Sequence, residues 1–155
     1  MADAFEIVPI GVVRGGRTEA TDDDWGESLA TIELDGDRFT TDVIAGLDEF
    51  SHLEVIYLFD RVDESAVNLG ARHPRGRRDW PLVGIFAQRA KARPNRLGVT
   101  VCEMVAIDGL DIVVRGLDAI DGTPVIDIKP YMKEFGPRTP TRQPMWSMEL
   151  MRGYW

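Results

Sequence analysis

What most limits the fold of this chain is a recurrence of short apolar or alternating runs, each closed by a turn signal. Residues 5–13, 29–34, 53–59, 82–87, 97–107, 110–117 and 125–128 are rich in Val, Ile and Leu and are bounded by Gly, Pro, Asp or Asn. Alternation with period two puts successive side chains on opposite faces, so such runs read as half-buried β-strands. Asp108-Gly109 between two of them marks a tight hairpin of type I′, a turn whose two central residues both need positive φ. Asp35-Gly36 and Asp121-Gly122 are similar turn signals. Regularly spaced short strands predict a mainly β fold, a single β-barrel-like domain over residues 1–155 with short helices. The one helical segment expected is C-terminal, from about Gln143, where Pro144 suits a first turn and Met145, Trp146, Met148, Glu149, Leu150 and Met151 follow. Residues 71–80 form the longest loop, with room for mobility.

Composition narrows the chemistry. A chain of 155 residues with 44% apolar and 28% charged content suits one domain with a real core. Cys102 is the only cysteine, which excludes an intrachain disulfide and a Cys-rich zinc site, and with only His52 and His73 available no metal is expected. No charged-then-apolar leader and no apolar run near 18 residues is present, so the cytosol is the expected compartment and no membrane role is expected. Gly-x-Gly-x-x-Gly after a strand and Gly-Lys-Ser/Thr are both missing, and Gly11, Gly15 and Gly16 have the wrong spacing to replace them. A doubly wound nucleotide-binding sheet would also need long helices that the sequence does not offer.

The net charge of −8 argues against nucleic acid, but its distribution does not. Arg72, Arg75, Arg77, Arg78, Arg89, Lys91, Arg93 and Arg96 fall in one quarter of the chain with Asp79 as the only acid among them. Asp22, Asp23, Asp24 and Glu27 cluster far from it. An acidic body with one basic sector is able to bind RNA locally. The plainer alternative is a solvated charged loop, and for Arg75-Gly76-Arg77-Arg78 alone that alternative weighs more.

The residues 84–98, Gly-Ile-Phe-Ala-Gln-Arg-Ala-Lys-Ala-Arg-Pro-Asn-Arg-Leu-Gly, crowd cations, a Pro-Asn turn and a glycine between two β-like runs. This stretch resembles the signature Gly-Val-Phe-Ala-x-Arg-Ser-Pro-x-Arg-Pro-Asn-Pro-Ile-Gly of the TsaA-like (YaeB, TrmO) family. Three more blocks resemble that family in order: Pro9-Ile10-Gly11-Val12-Val13-Arg14, then residues 46–59 beginning Gly46-Leu47-Asp48-Glu49-Phe50-Ser51-His52, then residues 116–131 with Leu117-Asp118-Ala119-Ile120-Asp121-Gly122-Thr123-Pro124 and Asp127-Ile128-Lys129-Pro130-Tyr131. Four blocks in register are far more specific than any one of them.

The resemblance implies a β-barrel that binds S-adenosyl-L-methionine, assembles as a homodimer and methylates tRNA, with the basic sector at residues 72–96 as the tRNA surface. It also implies cofactor contacts at Arg89, Val99, Leu117, Asp118, Ile120 and Asp121 within matched motifs, and at Trp25, Gly26, Asp60 and Arg61 by order and spacing. The sequence departs from the signature at residues 90–96, where the first and last prolines are lost and Lys91 and Arg96 are gained. Asp60 stands where the family often has histidine. The chain ends soon after Tyr131, so the extra C-terminal domain of longer bacterial members is expected to be missing.

Methyl transfer needs a nucleophile aligned with the methyl group, so positioning supplies most of the catalysis and no triad or metal is required. Asp127 is the candidate for accepting or orienting the acceptor's proton, with Lys129 and Tyr131 positioning the acceptor, because on a strand Asp127 and Lys129 share one face while Ile128 takes the other. A surface ion pair explains the same two residues equally well. Asp121 to Pro124 also fits a simple turn that Asp118 caps, His52 a strand-start histidine, and Cys102 a small core residue. Trp146, Tyr154 and Trp155 form an aromatic tail expected to pack on the barrel or on a partner chain. Three functions remain open at this point: methylation of threonylcarbamoyl-adenosine N6 beside the anticodon, methylation of a small molecule or another RNA, and cofactor binding without turnover.

Overall fold

In a computed structural model, which describes residues 2–155, the chain forms a closed antiparallel barrel. The strands are β1 (Gly11–Arg14), β2 (Leu29–Leu34), β3 (His52–Leu58), β4 (Ala71–Arg72), β5 (Val83–Gly84), β6 (Leu97–Asp108), β7 (Asp111–Arg115) and β8 (Pro124–Pro130). Six of them close in the order β1-β2-β7-β6-β3-β8, with β8 pairing back onto β1, while β4 and β5 make a separate small hairpin. Closure removes the exposed sheet edges that an open antiparallel sheet would leave. Short 3₁₀ turns connect the strands, and one helix, α1 (Met145–Met151), follows the barrel.

Alternation in the sequence fills the interior. Along β3, Leu53, Val55 and Tyr57 point inward, and Val13, Ile32, Ile112, Val114, Leu117 and Val125 meet them from the other side. Burying each such aliphatic side chain contributes about 1.5–3 kcal/mol, which makes this layer the main source of stability. Cys102 belongs to it as a small buried residue. Burial and then the charge of Asp118 push its thiol up to about 12, so it stays protonated and unreactive.

Several sequence expectations need correction. Residues 5–9 lie outside the sheet and leave Phe5, Ile7 and Val8 exposed, because both neighbours of β1 begin their pairing at Gly11 and Pro9 has no N–H to offer. Of residues 82–87 only Val83 and Gly84 are strand, and Ile85–Ala87 turn in a 3₁₀ helix that buries Ile85. The Asp108-Gly109 hairpin exists with its register moved by one residue. Asp108 pairs with Asp111, so Gly109 and Leu110 are the central pair, and only Gly109 has positive φ, at 60°, which is the pattern of a type II′ turn. Pro144 precedes α1 as its N-cap residue. Residues 71–80 are pinned: Pro74 and Trp80 are buried, His73 Nδ1 lies 2.7 Å from the Trp80 carbonyl, and Trp80 Nε1 donates to Glu149 Oε2 of α1 at 2.8 Å.

Candidate functional site

Asp118 is the centre of the most organised polar cluster. It follows β7 just beyond Leu117, whose side chain anchors in the core, and its half-buried carboxylate reaches a barrel end. Tyr57 donates to Oδ1 at 2.9 Å, Thr100 donates to the same oxygen, and Tyr154 donates to Oδ2. Burial, followed by the Asp118 charge, holds the Tyr57 phenol far above its usual range, and the same two causes in the same order raise Tyr154. Both phenols therefore remain donors at any physiological pH. The guanidinium charges of Arg89 and then Arg75 act on Tyr154 in the opposite sense.

The sequence builds this arrangement through a glycine. Tyr57 pairs across the sheet with Gly98, where a Cβ would fall 2.6 Å from the Tyr57 ring and 2.9 Å from Phe59. Only a residue without Cβ lets that ring lie inside the barrel and aim its hydroxyl at Asp118. Thr100, two residues along β6, points to the same side.

Further polar links connect the remaining positions. Arg89 Nη2 donates to the Val99 carbonyl at 2.6 Å, next to Thr100. Arg61 Nη2 donates to the Asp121 carbonyl at 3.0 Å, and Asp121 Oδ1 accepts from the Gly15 amide at 2.8 Å. The Asp121 amide donates to the Arg17 carbonyl, and the Arg17 guanidinium lies 4.3 Å over the Trp25 ring. Trp25 in turn donates its amide to the Tyr154 carbonyl at 2.8 Å. Asp24, just before it, has a positive φ of 66°, the kind of backbone that only surrounding contacts sustain. Beside this network is an open groove of about 650 Å³ lined by Gly16, Arg17, Thr18, Thr21 and Asp23 among others.

Of the ten residues implied as cofactor contacts, Trp25, Arg61, Arg89, Val99, Asp118 and Asp121 take part in these contacts, and Gly26, Leu117 and Ile120 adjoin them in the chain. Asp60 is exposed on its turn and its side chain bonds to nothing among the described residues. Asp127, Lys129 and Tyr131 stand apart. Ile128 packs against the core as expected, and this turns Asp127 and Lys129 outward, where Lys129 Nζ meets Asp127 Oδ2 at 2.7 Å on the barrel's outer face. Neither touches the Asp118 cluster. Sequence reasoning missed Tyr57, Thr100 and Tyr154. The available signal for the first two was a polar tip at an inward position of a strand, since a buried hydroxyl needs a partner.

The basic sector also changes character. Arg75 pairs with Asp23 at 2.9 Å and reaches Asp22 at 4.0 Å, so the acidic cluster expected far away folds against it. Arg77 pairs with Asp79 and lies 4.0 Å over the Trp80 ring. Arg93 and Arg96 donate to the carbonyls of Gln88 and Val62. The side chains of Arg78 and Lys91 make no ion pair or hydrogen bond among the described residues. No cluster of His, Cys, Asp or Glu there could hold a metal ion, and no helix there is long and apolar enough to cross a membrane.

With this geometry in view, comparison with known proteins is specific. The model of the tRNA-methyltransferase O N-terminal domain matches residues 23–136. A protein of Methanothermobacter thermautotrophicus named "Probable S-adenosyl-L-methionine-binding protein" is 36% identical over 132 residues, 84% of this chain and 92% of that protein. The tRNA (adenine(37)-N6)-methyltransferase of Homo sapiens is 31% identical over 107 residues, 69% of this chain but 24% of the human protein. A crystal structure of TrmO from Pseudomonas aeruginosa superposes with a TM-score of 0.74 at 26% identity, covering 92% of this chain and 63% of that one.

Proposed function

The chain belongs to the family of the tRNA-methyltransferase O N-terminal domain, and from that premise we propose that it is an S-adenosyl-L-methionine-dependent methyltransferase acting on N6 of threonylcarbamoyl-adenosine beside the anticodon of tRNA. The observation that carries this reading is the Asp118 carboxylate, held by three hydroxyls where the family's motifs converge. The donor set suits the cofactor: a fixed carboxylate for a cation or a hydroxyl donor, and Arg89 with N–H groups beyond the one given to Val99 for a carboxylate.

The chemistry that cofactor supplies is an electrophilic methyl group on a sulfonium cation: the C–S bond breaks as the N–C bond forms, and the acceptor nitrogen releases a proton. Asp118, with the hydroxyls of Tyr57, Thr100 and Tyr154 donating to it, presents a carboxylate of set orientation. Arg61 and Gly15 hold the Asp121 turn in place. Asp127 remains our candidate for orienting the acceptor or taking its proton, with Lys129 and Tyr131 beside it, a role that requires the acceptor to approach the outer face. Arg78, Lys91 and the 78%-exposed Phe86 support a tRNA contact, two charges for phosphates and one ring for a base. A homodimer is supported by exposed Leu97, Val101 and Val105 on the outer side of β6 and by Met145 and Met148 on α1. Cytosolic function follows from the same reading.

A small-molecule acceptor is the second reading, favoured by the neutralisation of Arg75 by Asp22 and Asp23 in a chain of net charge −8. The deciding experiment incubates the protein with methyl-labelled cofactor and either total tRNA or a small-molecule extract. Label in tRNA is the expected result; label only in the extract establishes the second reading, and cofactor binding without any label establishes a binding module.

A further inference from the structure

The segment after α1 is bonded to the candidate site in a way that packing alone does not require. The Gly153 carbonyl accepts from the Asp24 amide at 3.0 Å and the Tyr154 carbonyl from the Trp25 amide at 2.8 Å, so residues 153–154 run against residues 24–25. Trp155 then crosses Gly26 so closely that a Cβ there would lie 2.7 Å from the Trp155 carbonyl carbon. Glu149, one turn earlier, is fixed to Trp80. The Tyr154 hydroxyl, held between these anchors, ends on Asp118 Oδ2.

A carboxylate oxygen accepts about two hydrogen bonds. Oδ1 has both, from Tyr57 and Thr100 inside the barrel. Oδ2 has one, from Tyr154, and so keeps one acceptor direction whose bearing Tyr154 sets. We propose that residues 153–155 are a structural part of the cofactor site, with Tyr154 as the positioning residue that orients Asp118 Oδ2 toward an O–H or N–H donor of the cofactor and Trp155 as the wall across Gly26. The inference rests on the cofactor reading above. It adds a segment that lies outside the family-matched residues 23–136. The raised pKa of Tyr154 agrees with a hydroxyl that always donates.

The test is calorimetric titration with S-adenosyl-L-methionine of the wild type, Tyr154→Phe, Asp118→Asn and the double variant, each with its thermal midpoint. Tyr154→Phe keeps the ring and both backbone bonds and removes one hydroxyl. The expected result is a dissociation constant raised about tenfold with little change in midpoint, the size of one charge-assisted hydrogen bond. In the Asp118→Asn background the same substitution should add almost nothing, since its effect runs through that carboxylate. Hydrogen exchange of the Asp24 and Trp25 amides in the wild type gives a second measure, expected to slow when cofactor is added, and it decides the matter if Tyr154→Phe does not fold. A wild type that binds while Tyr154→Phe binds equally well, or while those amides are indifferent to cofactor, overturns this inference and leaves the proposed function standing. A folded wild type that binds no cofactor overturns both.

Discussion

Asp118 and Asp127 sit in the same matched block, and the barrel gives them opposite fates. Asp118 lies beyond the end of β7, next to the buried Leu117, and three hydroxyls from distant parts of the chain close on it. Asp127 lies within β8, where the burial of Ile128 turns it to the outer face and leaves it with Lys129, two residues away, as its partner. One carboxylate is positioned by tertiary structure and the other by strand alternation. Membership in a motif therefore does not by itself locate a residue in a site; the direction its strand position imposes does.

The largest expected effect breaks this comparison at Asp118. Asp118→Asn removes the charge and makes one acceptor atom a donor, so the hydroxyl that donated to that atom must reorient or lose its partner, and cofactor affinity should fall by roughly ten- to a hundredfold, the range of about 1.5–3 kcal/mol for a charged hydrogen-bonding partner. Asp127→Asn should leave the same dissociation constant unchanged. Equal losses in the two variants, read by calorimetry, would place the cofactor elsewhere.

Gly98→Ala attacks Asp118 indirectly. The added Cβ would meet the Tyr57 ring at 2.6 Å, and the ring is almost fully buried, so it cannot swing into solvent. Overpacking of this kind should destabilise the fold by about 1–3 kcal/mol and weaken cofactor binding along with it. Denaturant unfolding measures the first and titration the second. Unchanged stability would mean that Tyr57 has room to move and does not fix Asp118.

Arg96→Pro restores the residue of the family signature, yet it should be harmful here. Arg96 has φ 50°, which the proline ring forbids, and its amide donates to the Arg93 carbonyl at 3.0 Å. Its guanidinium also holds the Val62 carbonyl, just beyond Arg61. The substitution should cost more than about 1 kcal/mol in an equilibrium unfolding experiment, since the native conformation is closed to proline. A stabilised variant would show that this loop keeps the family conformation.

These cases show what was readable beforehand. Strand alternation placed the core of β2, β3, β6, β7 and β8, because inward and outward residues differ in polarity and each strand has partners on both sides. It failed at residues 5–9 and 85–87, which carry the same apolar pattern but have no neighbouring strand to pair with. For the candidate site, the motifs pointed to Asp118, Asp121 and Arg89, whereas Tyr154 was read only as an aromatic tail. Its role depends on a contact across 36 positions, and no local pattern encodes that. The meeting of Arg75 with Asp23 was missed for the same reason.

Alkaline pH should produce a smaller effect on the hydroxyl side of the comparison. Tyr57 and Tyr154 both have folded-state pKa values raised above the unfolded value near 10. Above that pH the unfolded chain loses phenolic protons that the folded protein retains, so stability is fully present below about pH 10 and declines as pH rises beyond it. Tyr57→Phe and Tyr154→Phe should each make the decline shallower in thermal melts at graded pH. An equally steep decline in both variants would show that these phenols titrate normally.

The smallest effect is expected on the outer face, from Lys129→Met. The Asp127–Lys129 pair is solvent-exposed, and such pairs contribute little because water screens the attraction and both side chains lose freedom in forming them. The thermal midpoint and the cofactor dissociation constant should therefore both match the wild type. What remains is the methyl-transfer rate. If Asp127 orients the acceptor, releasing it from Lys129 changes the rate at saturating cofactor, and Asp127→Asn abolishes most of it while cofactor binding persists. A rate unchanged in both variants removes the outer face from catalysis and leaves the pair as the consequence of strand alternation alone. The acceptor would then have to enter on the Asp118 side, where Arg89 and the segment containing Tyr154 already converge.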